Sequence, residues 1–103
     1  MSGDENLYEW DDAKRLKTIE KHGIDFTSAR QIFDGPHLEI DARSVDEVRR
    51  TAIGRVGGHM IAVVFTRRGD LIRIITARRA RRNERENFRS FYGDSDTADG
   101  RPD

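Results

Sequence analysis

Two apolar runs near the middle of the chain constrain its fold most strongly. The first spans Met60 to Phe65 and the second spans Leu71 to Ile75, with the turn sequence Arg68-Gly69-Asp70 between them. Short apolar runs that are rich in Val and Ile and end at turn residues are typical of buried strands. Because the first run is apolar at every position, it predicts a strand over His59 to Arg67 that is buried on both faces.

The flanking sequence extends these strands into an antiparallel meander. Gly57-Gly58 is a two-residue hairpin signal that joins a strand over Arg49 to Val56 to the central strand. A weaker strand is predicted over Leu38 to Ile40, and the last strand runs from Leu71 to Ala77. Simple alternation along that last strand predicts one face made of Leu71, Arg73, Ile75 and Ala77, and an opposite face made of Ile72, Ile74, Thr76 and Arg78.

Helical patterns lie on either side of the meander. A first helix is predicted from the N-cap Asp11 to about His22, with Gly23 as the terminating residue and a buried stripe of Ala13, Leu16 and Ile19. A second helix opens at Asp25 or Thr27 and stops at Gly35-Pro36, and its apolar face consists of Phe26, Ala29, Ile32 and Phe33. These two helices form a predicted helical hairpin on the tight turn at Gly23.

A third helix is predicted over residues 79–92, with Ala80, Phe88 and Phe91 as packing residues, Tyr92 as an anchor at its end and an Arg82–Glu86 ion pair. The fold class is therefore α+β: an N-terminal helical hairpin, an antiparallel meander of three to four strands and a C-terminal helix. We expect helices on one face of the sheet and an arginine-lined open face on the other. We predict one domain over residues 7–92, between a flexible N-terminus (1–6) and a disordered acidic tail (93–103).

The composition excludes several classes of protein. The chain has no cysteine, which excludes disulfides, thiolate metal sites and a cysteine nucleophile. The three histidines show no metal-ligand spacing, so we predict neither a metal nor another cofactor. No apolar run approaches the length of a membrane span and no secretory signal is visible, which favours a cytoplasmic protein without membrane contact.

The zero net charge conceals an uneven distribution of 19 basic and 19 acidic residues. Residues 1–48 carry a net charge of −6, residues 49–92 carry +9 and residues 93–103 carry −3. All three lysines precede residue 22, so the basic segment contains arginine only. The guanidinium fork suits phosphate and stacks on bases. The distribution therefore indicates either a surface that faces a polyanion or a solvated arginine-rich surface.

Four motifs follow one another in a recognisable order. They are Tyr8-Glu9-Trp10-Asp11 with Lys14, then Lys21-His22-Gly23-Ile24-Asp25-Phe26, then Ile53-Gly54-Arg55-Val56, and finally Ile72 to Ala80 with Glu84-Arg85. Together they resemble the BrnT toxin family over about residues 7–92. The chain departs from the family pattern at Thr18, where Asn is usual, and at Thr76, where Ser is usual. Neither departure removes a charged group.

The resemblance implies a type II toxin with a RelE-like fold that cuts RNA and arrests translation. It also implies a cognate antitoxin, BrnA, whose ribbon-helix-helix domain binds operator DNA, so that the toxin meets DNA only through its partner. The usual assembly of the family contains two toxins and two antitoxins. Without the resemblance, the residues alone support only a small domain with an arginine-rich face. A non-catalytic nucleic-acid-binding module and a protein-interaction module therefore stay open as alternatives.

Metal-free RNA cleavage needs a base for the 2′-OH, cations for the phosphorane and an acid for the leaving oxygen. Arg78, at the end of the last strand, is a candidate for contacting the phosphate. His22 lies at a helix C-terminus, where the dipole favours its protonated form, so it is a candidate acid with Lys21 beside it. Glu84 is a candidate base or a group that orients Arg78. Each has a structural alternative: an ion pair for Arg78 and Glu84, and a C-capping role for His22.

The remaining candidates are predicted to bind RNA without taking part in its cleavage. The predicted RNA-binding residues are Arg50, Arg73, Arg79, Arg81 and Arg85. Arg81 and Arg85 begin a row with Arg89 at a spacing of four residues along the last helix, which suits either an RNA backbone or an acidic segment of the antitoxin. For Arg73 a structural ion pair is the favoured alternative.

Overall fold

A computed structural model describes residues 7–42 and 48–93. In this part of the chain the elements are β1 (Tyr8–Glu9), α1 (Asp12–His22), α2 (Phe26–Ala29), a 3₁₀ helix (Arg30–Asp34), β2 (His37–Ala42), β3 (Arg49–Val56), β4 (His59–Arg68), β5 (Leu71–Arg79) and α3 (Arg82–Tyr92). The mixed α+β class is confirmed. The N-terminus predicted to be flexible (1–6) and the acidic tail beyond Gly93 lie outside the described residues.

The strands form one sheet in the order β1-β5-β4-β3-β2. Strands β2 to β5 are the predicted antiparallel meander. The described sheet nevertheless has five strands, so the prediction of three to four is wrong. The additional strand is β1, which pairs parallel to β5 with Tyr8 opposite Ile72. A strand of two residues is too short to show a hydrophobic period, so its pairing could not be derived from the sequence.

The hairpin between β3 and β4 is confirmed, together with the reason for its two glycines. Gly57 and Gly58 have φ angles of +59° and +83°. Two successive positive φ angles are what a type I′ turn requires, and this turn matches the right-handed twist of paired strands. The turn fixes the register of the hairpin, in which Val56 lies opposite His59 and Ala52 lies opposite Val63.

A β-bulge interrupts the pairing of β4 with β5. Phe65 lies opposite Ile74, whereas the preceding Val64 lies opposite Thr76, so Ile75 is an extra residue on β5. The bulge changes the face on which the following residues lie, and the simple alternation predicted for this strand is therefore wrong. Simple alternation places Ile74 and Ala77 on opposite faces, but both belong to the same core cluster.

Hydrophobic cores lie on both faces of the sheet. One is formed under α2 and the 3₁₀ helix by residues that include Phe26, Ile32, Ala52, Ile61 and Phe65. The other, under α3, contains Ile53, Met60, Ala62, Ala80 and Phe88. Because neighbouring residues of a strand point to opposite faces, Ala52 and Ile53 belong to different cores. The expectation that helices cover only one face is therefore wrong, since α3 packs on the face predicted to be open.

Helix α1 has the predicted ends but not the predicted buried stripe. The Asp11 carboxylate caps it by accepting from the Ala13 N–H at 2.8 Å, and Gly23 ends it with φ = +71°. Ala13 is exposed and Leu16 is 59% exposed, so the stripe of Ala13, Leu16 and Ile19 is wrong. The helix instead turns inward a face made of Arg15, Thr18, Ile19 and His22.

The predicted helical hairpin is also wrong, because the second helix is a single α turn that continues as a 3₁₀ helix. Its apolar residues Phe26, Ala29 and Ile32 are buried as predicted. The residue before a proline is disfavoured in the α region, and a tighter 3₁₀ turn commonly ends a short helix. Gly35-Pro36 therefore stops the chain before a second full helix can form.

Helix α3 contacts the sheet along a narrow stripe of Glu84, Phe88 and Tyr92, which are spaced four residues apart. Phe88 is 2% exposed, and the Tyr92 hydroxyl donates to the His37 carbonyl at 3.0 Å. Phe91 lies beside this stripe and is 71% exposed, so its predicted packing role is wrong. The predicted roles of Ala80 and Phe88 are confirmed, as is the Arg82–Glu86 ion pair at 3.2 Å.

These two phenylalanines form a matched test of the second core. Phe88→Ala is expected to lower the free energy of unfolding by about 3–5 kcal/mol, because it leaves a cavity under α3. Phe91→Ala removes the same atoms from an exposed position and is expected to change it by less than about 0.5 kcal/mol. Urea unfolding measures both. Equal effects of the two substitutions would contradict this placement of α3.

Candidate functional site

A cationic groove lies between α1 and the bulged part of β5. The three lysines of the chain follow α1 at positions i, i+3 and i+7, and helical geometry therefore places them along one face. The groove has a volume of about 350 Å³. Its lining residues are Lys14, Lys17, Thr18, Lys21, His22, Ile75 and Thr76.

The cations of this groove are available to a ligand. Among the ion pairs of residues 7–42 and 48–93, none involves Lys14, Lys17, Lys21 or His22. The lysine side chains are exposed and His22 is half-buried. Thr18, which lies between the lysines, is 5% exposed, and its hydroxyl donates to the Lys14 carbonyl at 2.8 Å. The groove is therefore lined by a buried threonine and by ammonium groups that are exposed to solvent.

The rotation of α1 about its axis is fixed by Arg15. Its Nε and Nη2 donate to the two carboxylate oxygens of Asp25 at 2.8 and 3.0 Å. The hydrogen bond from Arg15 is the main cause that lowers the pKa of Asp25 to about 2. Asp25 also caps α2 by accepting from the Thr27 N–H at 3.0 Å. This one carboxylate therefore joins α1 to α2 and leaves the lysine face directed toward β5.

Arg78 and Glu84 form a bidentate ion pair at the end of β5. Arg78 Nη1 and Nη2 donate to the Glu84 carboxylate oxygens at 2.8 and 2.9 Å. The same carboxylate accepts from the backbone N–H of Arg81 at 2.7 Å, at the start of α3. The Arg78 hydrogen bonds are the main cause that lowers the pKa of Glu84. Glu84 is 6% exposed, so it is a buried and ionised group that ties α3 to β5.

The structure places the predicted catalytic residues in two pairs: Lys21 and His22 line the groove, whereas Arg78 and Glu84 do not line it and pair with each other. Lys21 and His22 line the groove with Thr76, and Arg78 follows two residues later on the same face of the strand. Gly23 and Arg79 line a common neighbouring cavity, which places the end of α1 beside the end of β5. The end of α1 and the end of β5 are therefore neighbours in the fold.

The predicted RNA-binding arginines are dispersed, and several have partners within the protein. Arg50 donates to Asp41 at 2.7 Å, and it lies on β3, which is separated from β5 by β4. Arg73 pairs with Glu9 at 3.3 Å. Arg85 donates to the Ala80 carbonyl at 2.8 Å. Arg79 and Arg81 are exposed and make no ion pair with the described residues.

Glu39 binds a second group of arginines toward the β2 edge of the sheet. It accepts from Arg67 at 2.9 and 3.0 Å and from Arg50 at 3.3 Å. The hydrogen bond from Arg67 is the main cause that lowers the pKa of Glu39 to about 2. These arginines have an internal counter-charge, and their contacts join β2, β3 and β4.

Sequence reasoning did not assign Lys14, Lys17, Ile75 or Thr76 to the site. A signal for the lysines was present in their spacing along α1. The positions of Ile75 and Thr76 depend on the bulge, and no residue pattern in β5 predicts that bulge. The part of the chain that the structure describes contains no group of three or more His, Asp or Glu placed to hold a metal ion. No helix in this part is long and apolar enough to cross a membrane.

The fold and the groove together define a small α+β protein in which three lysines, without an ion pair to residues 7–42 and 48–93, lie beside the bulged strand of the sheet. The family model of BrnT, described as the ribonuclease toxin of a type II toxin–antitoxin system, matches residues 10–84. The chain belongs to this family of ribonuclease toxins, and membership implies an antitoxin partner. A search of curated proteins found no match. The matched segment includes all of α1 and β5 and ends at Glu84.

The pair that orients α1 is tested by Asp25→Asn, which removes the charge and keeps a side chain able to cap α2. The variant is expected to have a lower Tm at neutral pH. Unfolded aspartate titrates near about 4, whereas the pKa of Asp25 in the folded protein is about 2. The stabilisation by the pair is therefore complete above about pH 4 and is lost as the pH falls through about 2.

Thermal unfolding between pH 7 and pH 2 measures this difference. Asp34→Asn is the control, since Asp34 is an exposed aspartate without an ion pair to the described residues. A difference in Tm between the wild type and Asp25→Asn that stays constant over the whole pH range would contradict the assigned role of the pair.

Proposed function

We propose that this chain is a metal-independent endoribonuclease that binds its RNA along the groove between α1 and β5 and inhibits translation by cutting it. The observation that carries the proposal is the row of lysines on α1, which make no ion pair with the described residues, line a groove with Ile75 and Thr76, and have His22 at their end. Cations without internal counter-charges attract a polyanion by releasing its bound counterions. Arg50 of β3 and Arg67 of β4 lack this advantage, because they pair with carboxylates of β2.

Within this proposal His22 is the proton-transfer group. Imidazole gives and takes protons near neutral pH, and His22 is the histidine that lines the groove. The 2′-OH gives its proton to solvent water as its oxygen bonds to phosphorus, the bond from phosphorus to the 5′ oxygen breaks, and protonated His22 donates a proton to that leaving oxygen. The products are a 2′,3′-cyclic phosphate and a 5′-hydroxyl end. Lys21 precedes His22 and stabilises the charge that develops on the non-bridging phosphate oxygens. Lys14 and Lys17 hold the phosphates on one side of the cut.

We assign Arg78 to the scissile phosphate and Glu84 to positioning Arg78. Both Glu84 oxygens accept hydrogen bonds from Arg78, and one also accepts from the Arg81 backbone. A carboxylate with this many donors and a lowered pKa is a weak base. It does fix the plane and position of the guanidinium, which is the preorganisation that stabilisation of a transition state requires.

Membership of the family supports a proposal for the partner and the setting. We propose that the antitoxin is a BrnA-type protein, that its ribbon-helix-helix domain contacts the operator DNA, and that two toxins assemble with two antitoxins. An acidic segment of the antitoxin that covers exposed Arg81 and the lysine groove would inhibit the toxin by charge neutralisation. We further propose a RelE-like fold and action in the cytoplasm.

One observation favours a second candidate, a non-catalytic RNA-binding protein. The Arg78 guanidinium and the Glu84 carboxylate are already bonded to each other, which suits a structural pair as well as a catalytic one. In that case the groove binds RNA and no bond is broken. Cleavage products therefore decide between the two candidates.

The test is a digest of a defined messenger RNA in EDTA at low salt, with and without ribosomes, analysed on a sequencing gel. The wild type is expected to give discrete cuts. His22→Ala is expected to slow cutting by about 100-fold or more, the usual range for loss of a general acid or base. Arg82→Ala is the control, because Arg82 is exposed on α3 and pairs with Glu86.

Arg78→Ala is tested in the same digest at a temperature below its measured Tm, since the substitution leaves Glu84 without its partner. It is expected to lose cutting while keeping RNA binding. Cutting by folded His22→Ala at the wild-type rate would overturn the assignment of His22. Binding without cuts by the wild type, in both the presence and the absence of ribosomes, would establish the non-catalytic candidate.

A further inference from the structure

A second cavity adjoins the cationic groove at the end of α1. It has a volume of about 290 Å³ and lies between the turn after α1, the helix α2 and the β3–β4 hairpin. Its lining residues are Gly23, Ile24, Asp25, Ser28, Ala29, Val56, Gly57, His59, Ile61 and Arg79. His22 lines the groove and Gly23 lines this cavity, so consecutive residues at the end of α1 contribute to the two spaces.

The walls of this cavity combine an apolar floor with a polar rim. Ala29 and Ile61 are fully or almost fully buried, and Val56 is half-buried. Ser28 and His59 are exposed at the rim. A mostly apolar pocket with a few polar groups at its edge is the usual form of a small-molecule site. Its size and chemistry suit a flat heterocycle that buries its face and hydrogen-bonds at its edge.

Arg79 gives this cavity a cation that can contact a nucleic acid. It lies opposite Ile61 on the face of β5 that carries the first core, whereas Arg78 lies opposite Ala62 on the other face. Adjacent arginines therefore serve different spaces: Arg78 pairs with Glu84, and Arg79 lines the cavity without an ion-pair partner in residues 7–42 and 48–93. Histidine and arginine side chains are both surfaces on which unpaired bases stack in RNA-binding proteins.

We infer that this cavity is a nucleobase-binding subsite, which receives one unstacked base of the strand whose phosphates lie on the lysines of α1. The inference rests on the proposed function and deepens it, because it assigns the selection of single-stranded RNA to a defined pocket. The base lies against Ile61 and Val56, His59 stacks on it or closes over it, and Arg79 donates to its edge or to the following phosphate. An apolar side chain of the antitoxin is the competing occupant.

The test measures how much the bases contribute to binding. The probes are two fluorescent pentanucleotides with 2′-deoxy sugars, which cannot be cut through a 2′-OH. One carries all its bases and the other is abasic at every position, so that both present the same phosphates. We expect the wild type to bind the strand with bases at least about fivefold tighter, the factor that corresponds to about 1 kcal/mol for one stacked base.

Two variants remove the subsite in different ways. Ser28→Phe fills the cavity from its exposed rim, and His59→Ala removes the stacking ring. Both are expected to bind the abasic strand as the wild type does and to lose the preference for the strand with bases. Gln31→Phe is the control, since it adds the same ring at an exposed position outside the cavity. Circular dichroism and Tm establish that each variant is folded.

The outcomes separate this inference from the proposed function. Equal binding of both strands by the wild type, with the abasic strand retained on the lysines, would overturn the subsite and leave the groove intact. A preference for bases that survives in both folded variants would also overturn it. Failure of the wild type to bind either strand would overturn the proposed groove and the subsite together.

Discussion

The Arg15–Asp25 ion pair is the interaction on which the arrangement of the site depends. A helix with only one fully buried side chain, Thr18, has little apolar contact to fix its rotation. The two hydrogen bonds from Arg15 to Asp25 supply that constraint. In this orientation of the helix, Leu16 is exposed at the surface and is not part of a core. With Arg15 directed to α2, the lysines face β5. The Arg15–Asp25 ion pair thus orients α1 so that its lysine face forms one wall of the groove.

The opposite wall depends on an irregularity of the sheet. The bulge at Ile75 places Ile75 and Thr76 in the groove and brings Arg78 to the face on which α3 packs. Glu84 then joins the start of α3 to Arg78, so the second core and the strand end are stabilised together. The site therefore combines elements from both ends of the chain, although its residues contribute little to either core.

The sequence predicts the elements whose signals are local. The strands β3, β4 and β5, the glycine hairpin and the caps of α1 follow from apolar runs, turn residues and N-cap chemistry. The rotation of α1, the parallel pairing of β1 and the bulge depend on contacts between distant residues, and the predictions there are wrong or missing. The charge distribution predicts a polyanion-binding surface among the arginines of residues 49–92, yet several of these pair with carboxylates of the acidic half. The lysines of that half make no ion pair with the part of the chain that the structure describes.

We propose that RNA binds to the lysine face of α1 beside the bulged strand. An NMR titration of the ¹⁵N-labelled protein with a non-cleavable 2′-deoxy strand locates the binding surface. We expect the largest changes in amide chemical shift in residues 14–24 and 75–79. Changes concentrated instead at the Glu39–Arg67 cluster or along α3, with α1 unaffected, would contradict it.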